Sequence, residues 1–556
     1  MGRLRFAVFF FTFVLAMTAT VPAMPADTSD YDAVVIGAGG GGLAASARLA
    51  LGGMKVLLIE QHYKVGGYMT NFYRGDYTFE VSLHAFDGLD DDGMNVSAFT
   101  DLGIINKVTP VKLSPMYHAV YPDGYSITVP ADADEYCELL KQDFPQEAEG
   151  IDGLFRTLEG LNGFLVFTTK LGDGKILEAF SSVRLWMILK ILKYWKATLT
   201  DMLDDHIKDQ RLIAVITQLS GFGGEEPNNI SAIYFAAMWN SYHRGGFYYF
   251  EGGSQSISNA LAEVIQENGG TVMLSTRATK IVIEDGKAVA VKTDEGDEFS
   301  CRYVVSNANA PATFNTLVGA EHLPDSYMKE LEDLTVGLSM VQVYMGVDYD
   351  YSDYFPQGVH EFIPNVTYDQ AEAFRYMHEG NPEKVPFAIL NYTLPDSGTA
   401  PEGKNVICLG TILPYDWEEN WYVSDIPADA ITAATNNPSH VCEGYEEDYE
   451  AYTALKEEVA SILISRAEEY LPGLSSHIEV MEVGTPRTME YMTLNPGGSI
   501  FGWDNTPEQS LLNRLPQKTP IDNLYLAGAW TFPGGGQSAV LASGRMAALK
   551  ILAREK

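Results

Sequence analysis

With 556 residues, 46% of them apolar and 12% aromatic, the chain carries enough apolar mass for a large core and is neither disordered nor fibrous in composition. Its formal charge of −37 at pH 7 argues against nucleic acid as a partner, because phosphate binding needs basic surface. Four widely spaced cysteines, Cys137, Cys301, Cys408 and Cys442, form no metal-spaced pair; an exported chain would permit disulfides, and buried thiols are the alternative.

Residues 1–23, "MGRLRFAVFFFTFVLAMTATVPA", place Arg3 and Arg5 before an apolar run that ends in small residues at Val21-Pro22-Ala23. This reads as an export signal, which would put the protein in a periplasm, in the ER lumen or outside the cell. An uncleaved anchor is the other reading, although the run is short beside the roughly 20 residues of a membrane span. Four sequons, at Asn95, Asn229, Asn365 and Asn391, would matter only in a eukaryotic secretory pathway.

"AVVIG" then reads as a strand buried in a parallel sheet, and Gly37, Gly39 and Gly42 fit G-x-G-x-x-G ahead of the helix "LAASARLALGG". The first glycine allows a tight turn, the second lets backbone approach a pyrophosphate, and the third lets helix and strand pack closely. A second strand, "KVLLIE", ends in Glu60, placed to accept hydrogen bonds from a ribose diol. A carboxylate there disfavours a 2′-phosphate, which leaves NAD and FAD. The second glycine pair, Gly66-Gly67, favours FAD, whose long pyrophosphate–ribityl section needs further backbone close by.

Residues 105–235 read as mainly helical, with strand-like pieces such as "YSITVPA". Within them "VRLWMILKILKYWK" (183–196) is a basic island, where Lys190, Lys193 and Lys196 would form a narrow stripe on an otherwise apolar helix. Such a helix is either buried or dipped into a bilayer surface with its lysines at the headgroups. Earlier, "FDGLDDDG" concentrates Asp87, Asp90, Asp91 and Asp92 without calcium-loop spacing and reads as a solvated loop. A turn, an amphipathic helix and strands follow from "YYFEGGSQSISNALAEVIQENGG" to "YVVSNANAP", and strands with apolar alternation begin at "LSMVQVYMGVDY".

The chain closes on "NLYLAGAWTFPGGGQSAVLASG", a second strand, glycine turn and small-residue helix. The helix is expected to start near Gln537 to Ala539, with Gly534, Gly535 and Gly536 letting backbone lie against a flat ring. Its N-terminus would face the pyrimidine side of the flavin, which is negatively charged when reduced. The fold expected is α/β: a Rossmann-like FAD-binding domain (30–105, 236–330 and 481–556) whose insertions (106–235 and 331–480) form a mixed α+β substrate domain.

Taken together, the N-terminal fingerprint, "GGSQSISNALAEVIQENGG", "YVVSNANAP", "PGGSIFGW" and the C-terminal device resemble the phytoene desaturase superfamily of flavoproteins, with its carotenoid isomerases and retinol saturase, within the amine-oxidase-like fold. "IEQHYKVGG" and "TFEVSLHAF" are more similar to retinol saturase and the carotenoid isomerases; "AGAWTFPGGG" is more similar to the bacterial desaturases. The resemblance implies that Gly37, Gly39, Gly42, Glu60, Gly66 and Gly67 hold the adenosine diphosphate part of FAD. It further implies that Ala278 turns its backbone to the adenine. Gly528 and the turn through Gly535, Gly536, Gln537, Ser538 and Ala539 would hold ribityl and flavin.

The activity implied is redox or isomerising chemistry on C=C bonds of a carotenoid or retinoid, with a polyunsaturated fatty acid isomerase as the alternative and an amine oxidase or a non-catalytic flavoprotein behind it. FAD carries such chemistry, so few polar catalytic residues are required. No nucleophile elbow and no His/Cys metal cluster is legible in the sequence. His84, with Arg74 and Glu80 near it in sequence, and Tyr491 are the candidates beside the ring; the sequence assigns no general base and no electron partner.

Overall fold

The computed structural model describes residues 30–90, 93–172, 185–415, 421 and 446–555; the expected export signal, Asp91, Asp92, Val183, Arg184 and Cys442 lie outside them. Five parallel strands form the centre of the first sheet, in the order Thr271–Met273, Val56–Ile59, Tyr31–Ile36, Glu298–Ser306 and Leu524–Leu526. Val34 sits between Leu57 on one side and Val304 on the other. Both faces of this sheet are covered, which is why its strands read as unbroken apolar runs. An antiparallel ribbon, Ala278–Glu284 with Lys287–Thr293, extends it beyond Glu298–Ser306.

The second sheet runs Ile478–Gly484, Ser339–Val347, Asn405–Leu413, Ala388–Asn391, Glu361–Pro364, Tyr117–Val120 and Ser126–Val129. Strands from residues 117–129 thus join strands from 339–484 in one layer. Ile478–Gly484 straddles the expected boundary at 480/481 and pairs along Ser339–Val347. Ala232–Gly245 straddles the boundary at 235/236 and packs on the helix Ala148–Gly172, with Trp239 edge-on to Phe155 at 5.0 Å.

The expected alternation in Ser339–Val347 is not what the structure has: all nine residues are buried. Val341, Val343, Met345 and Val347 face a core formed with the helix Glu446–Ala467, while Met340 and Gln342 face a cavity on the other side. Alternation survives in direction but not in polarity, because neither face meets water. Asn95 and Asn391 are buried too, so neither sequon presents an acceptor at the surface. Cys137 and Cys408 are buried thiols, and burial pushes both above the ordinary thiol range.

Candidate functional site

One cavity of about 790 Å³ runs between the two sheets. At one end it is lined by Gly37, Gly39, Gly40, Gly66 and Gly67, by Glu60, and by Thr276 and Ala278. Gly37 turns the chain at φ +89°, and its N–H donates to the Ile59 carbonyl at 2.8 Å. The helix Gly40–Leu51 starts immediately afterwards, and no side chain caps it, so its first N–H groups are left for an anion. The second glycine pair docks on the first: Gly66 donates its N–H to the Ala38 carbonyl at 2.8 Å and bridges Gly39.

Glu60 is buried and lines this end. Its Oε2 accepts from the Ala38 N–H at 2.6 Å and its Oε1 from the His62 N–H at 2.8 Å. Burial raises its carboxyl above the ordinary range, and these N–H groups oppose the rise. Each oxygen keeps a lone pair for a ligand hydroxyl.

Gly528, Gly536 and Gln537 line the same cavity farther along. The helix Gln537–Arg554 begins at Gln537, at the start of the expected range, again without a side-chain cap. Gln537 donates through Nε2 to Ser82 Oγ at 3.2 Å, while its Oε1 is buried without a protein partner. Two uncapped helix starts, a glycine cradle and an orphaned amide oxygen fit a long ligand with a diphosphate and a polar ring edge.

Asn307 joins the two glycine devices. A Cβ at Gly39 would lie 2.8 Å from its Nδ2, and Cβ atoms at Gly41 and Gly528 would lie 2.5 Å and 2.4 Å from its Oδ1. The residue follows the central strand Glu298–Ser306 within "YVVSNANAP" and lines the cavity. Its role was not assigned from the sequence; a polar residue ending a buried parallel strand was the available sign.

Beyond Gln537 the cavity is walled by Met340, Met377, Phe387, Ile412, Met489 and Phe501. His84 lies here, its Nδ1 3.7 Å from Glu361 Oε1 and its ring edge-on to Phe222 at 6.3 Å. The His84 carbonyl accepts from His360 Nε2 at 2.9 Å. Glu361 is only 1% exposed, lines the cavity, and its Oε2 has no hydrogen-bond partner. No sequence pattern singles out Glu361, a lone acid in a short strand; three paired strands carry it into position.

Several expected site residues stand elsewhere. Gly42 has the helix-on-strand packing role expected of the third glycine, a Cβ there lying 1.9 Å from the Gly37 carbonyl oxygen, but it does not line the cavity as the resemblance implies. Gly535 packs on the Phe501 backbone, and Ser538 and Ala539 are outside the lining. Ser538 hydrogen-bonds the carboxyl of Asp87. Asp87 is not in a solvated loop: it lies buried on the strand Phe86–Asp87, and Ser241 also donates to it. Asp90 pairs with Lys112 at 2.5 Å. Tyr491 sits on the helix Pro486–Thr493, whose Met489, Met492 and Thr493 line the cavity while Tyr491 does not. Arg74 pairs with Glu482 at 2.6 Å and Glu80 accepts from Ser254, so neither joins His84.

The description "flavin containing amine oxidoreductase" is that of the family whose profile matches residues 41–437. The chain is 27% identical to a chloroplastic prolycopene isomerase of Arabidopsis thaliana, over 97% of this chain and 86% of the relative. It is 26% identical to an all-trans-retinol 13,14-reductase of Danio rerio, over 90% and 82%. The solved structure of an oxidoreductase from Methanosarcina mazei shares the fold, with a TM-score of 0.58 at 19% identity over 93% of this chain and 99% of that one.

Proposed function

This chain belongs to the flavin-containing amine oxidoreductase family, and we propose that within it the protein is an FAD enzyme acting on carbon–carbon double bonds of a long apolar polyene, a carotenoid or retinoid. The observation that carries this reading is the continuity of one cavity from the glycine and Glu60 end to a wall of methionines and aromatics. The names of the prolycopene isomerase and the retinol reductase support the substrate class.

FAD, when bound, would supply hydride-transfer chemistry at an allylic C–H or a conjugated double bond. The chain's own residues bind, orient and keep water out. Gly37, Gly39 and the first turn of Gly40–Leu51 would hold the diphosphate, and Glu60 the ribose. Gln537 would meet the ring's polar edge. Met340, Met377 and Phe387 line an apolar slot for the polyene.

The reading extends to location: export through residues 1–23, and shallow contact with a bilayer through the helix Leu185–Tyr194. Lys190 and Lys193 share a face of this helix, but both are engaged by protein groups rather than left for headgroups. Lys190 turns to Thr157 Oγ1 at 2.6 Å and Lys193 pairs with Asp205 at 2.6 Å, while Trp186, Ile188, Leu189 and Leu192 are exposed. An exposed apolar face of this kind suits contact with a membrane surface. Among the described residues no helix is long and apolar enough to cross one.

The test is an anaerobic spectrum of the flavin-loaded protein during titration with polyenes, paired with mass spectrometry of lipids that co-purify. Polyene-dependent perturbation or bleaching of the flavin bands is expected. Hydrogen peroxide release with amines, and no response to polyenes, would overturn the proposal.

A further inference from the structure

The apolar end of the cavity contains polar side chains, Gln342 at its Nε2 and Glu361 at its Oε2 included, with a buried atom that no described residue satisfies. Glu361 is buried to 99% of its surface, and the strand that carries it is held on both sides, by Leu390 and His118 through the pairs Glu361↔Leu390 and Phe362↔His118. Its Oε2 nevertheless has no donor, and its Oε1 has only the His84 imidazole at 3.7 Å, beyond hydrogen-bond reach. A buried carboxyl oxygen without a partner is costly, which makes this point of the wall a place for a ligand's hydrogen-bond donor. His84 places the spot near the reacting end: it is two residues from Ser82, whose Oγ accepts from Gln537 at the start of the C-terminal helix.

We propose that Glu361 is the residue that selects the substrate's polar end, accepting a hydrogen bond from a hydroxyl group, so that the cavity takes a polyene alcohol in preference to a fatty acid. The proposal rests on the polyene reading and narrows it. A hydroxyl suits Glu361 in either protonation state, because it both donates and accepts. A ligand carboxylate needs a cation in exchange for its lost hydration. Arg277 is the only lysine or arginine among the described residues lining the cavity, and it stands beside Ala278 at the Glu60 end. An acid head group would therefore meet Glu361 with no lysine or arginine beside it.

The experiment compares retinol with retinoic acid, which share a carbon skeleton, on the flavin-loaded full chain, reading the perturbation of the flavin spectrum at pH 8. A preference for the alcohol of at least about 10-fold is expected, in line with a hydrogen bond to a carboxyl group. In Glu361→Gln the amide donates to an acid, and the preference should fall to within about 3-fold. Should that variant lose its flavin, Glu361→Asp, which withdraws the carboxyl by one methylene, should shrink the preference in the same direction. Equal binding of alcohol and acid by the wild-type protein, or an unchanged preference in a flavin-loaded variant, overturns the role of Glu361 while leaving the polyene reading intact. Binding of neither compound by a protein whose flavin bands still respond to a carotenoid overturns the role of Glu361; no response to retinol, retinoic acid or carotenoid overturns the polyene reading itself.

Discussion

Gly41 and Gly544, more than five hundred residues apart in the chain, are in backbone contact: a Cβ on Gly544 would lie 1.9 Å from the Gly41 carbonyl oxygen and 2.9 Å from the Ala45 nitrogen. The helices Gly40–Leu51 and Gln537–Arg554 therefore cross with no side chain between them, and their uncapped starts open on one cavity. Gly544→Ala should force the crossing apart, at about 1–3 kcal/mol or more for overpacking. A lowered Tm and weaker flavin retention are expected together. A variant of normal Tm and normal flavin content would show that the contact is dispensable.

Asn307 lies between Gly39, Gly41 and Gly528. Asn307→Leu replaces a flat amide by a branched side chain where the glycines leave no room. The expected result is a fall of roughly 10-fold or more in flavin affinity, equivalent to a lost polar contact of about 1–3 kcal/mol. Fluorescence quenching of added FAD by the apoprotein measures it directly.

Asp504 supplies a pH dependence. Burial pushes its carboxyl up to about 7, Glu225 adds to the rise, and Arg514 opposes it. A raised folded-state pKa means that the fold favours the protonated form. Its stabilising contribution is complete below the ordinary value of 3.8 and is lost as pH rises through about 7. Asp504→Asn should therefore gain on the wild type as pH goes from 4 to 7. Linkage sets the gain at no more than about 4 kcal/mol, and solvent screening of a half-buried group reduces it. Denaturant titrations of both proteins across this range supply the comparison; a constant gap between them would contradict the prediction.

Leu189 and Leu192 are 59% and 57% exposed on the helix proposed to touch a bilayer. Burying a leucine is worth about 1.5–3 kcal/mol, so Leu189→Glu and Leu192→Glu should each weaken vesicle binding by about 10-fold or more. Flavin content should be unchanged, because neither residue lines the cavity. Co-sedimentation with phosphatidylcholine vesicles reads the outcome, and a wild-type protein that stays in the supernatant removes the membrane contact from the proposal.

Both glycine devices were legible because each is local: strand, turn and helix follow one another within about twenty residues, and each part has its own residue chemistry. Asn307 and Glu361 were not, because what matters about them is their neighbours, which sheet pairing brings from distant segments. Asp87 misled for the same reason. Its acidic surroundings in the chain suggest water, yet its partners, Ser241 and Ser538, come from two other helices. Lys190 and Lys193 are engaged rather than left for headgroups because helical spacing says which residues share a face, not which face a neighbouring helix will cover.

A wall of the cofactor cradle comes from Gly528 and Gln537, more than two hundred residues after Asn307 in the chain. A nascent chain that has already left the ribosome past Asn307 still lacks the surface opposite it. Flavin can be retained only after Gly528 and Gln537 have been synthesised and, in a translocated protein, delivered to the same compartment as Asn307. A yellow molecule is thus one that extends at least to Gln537, and any product truncated before Gly528 should remain colourless.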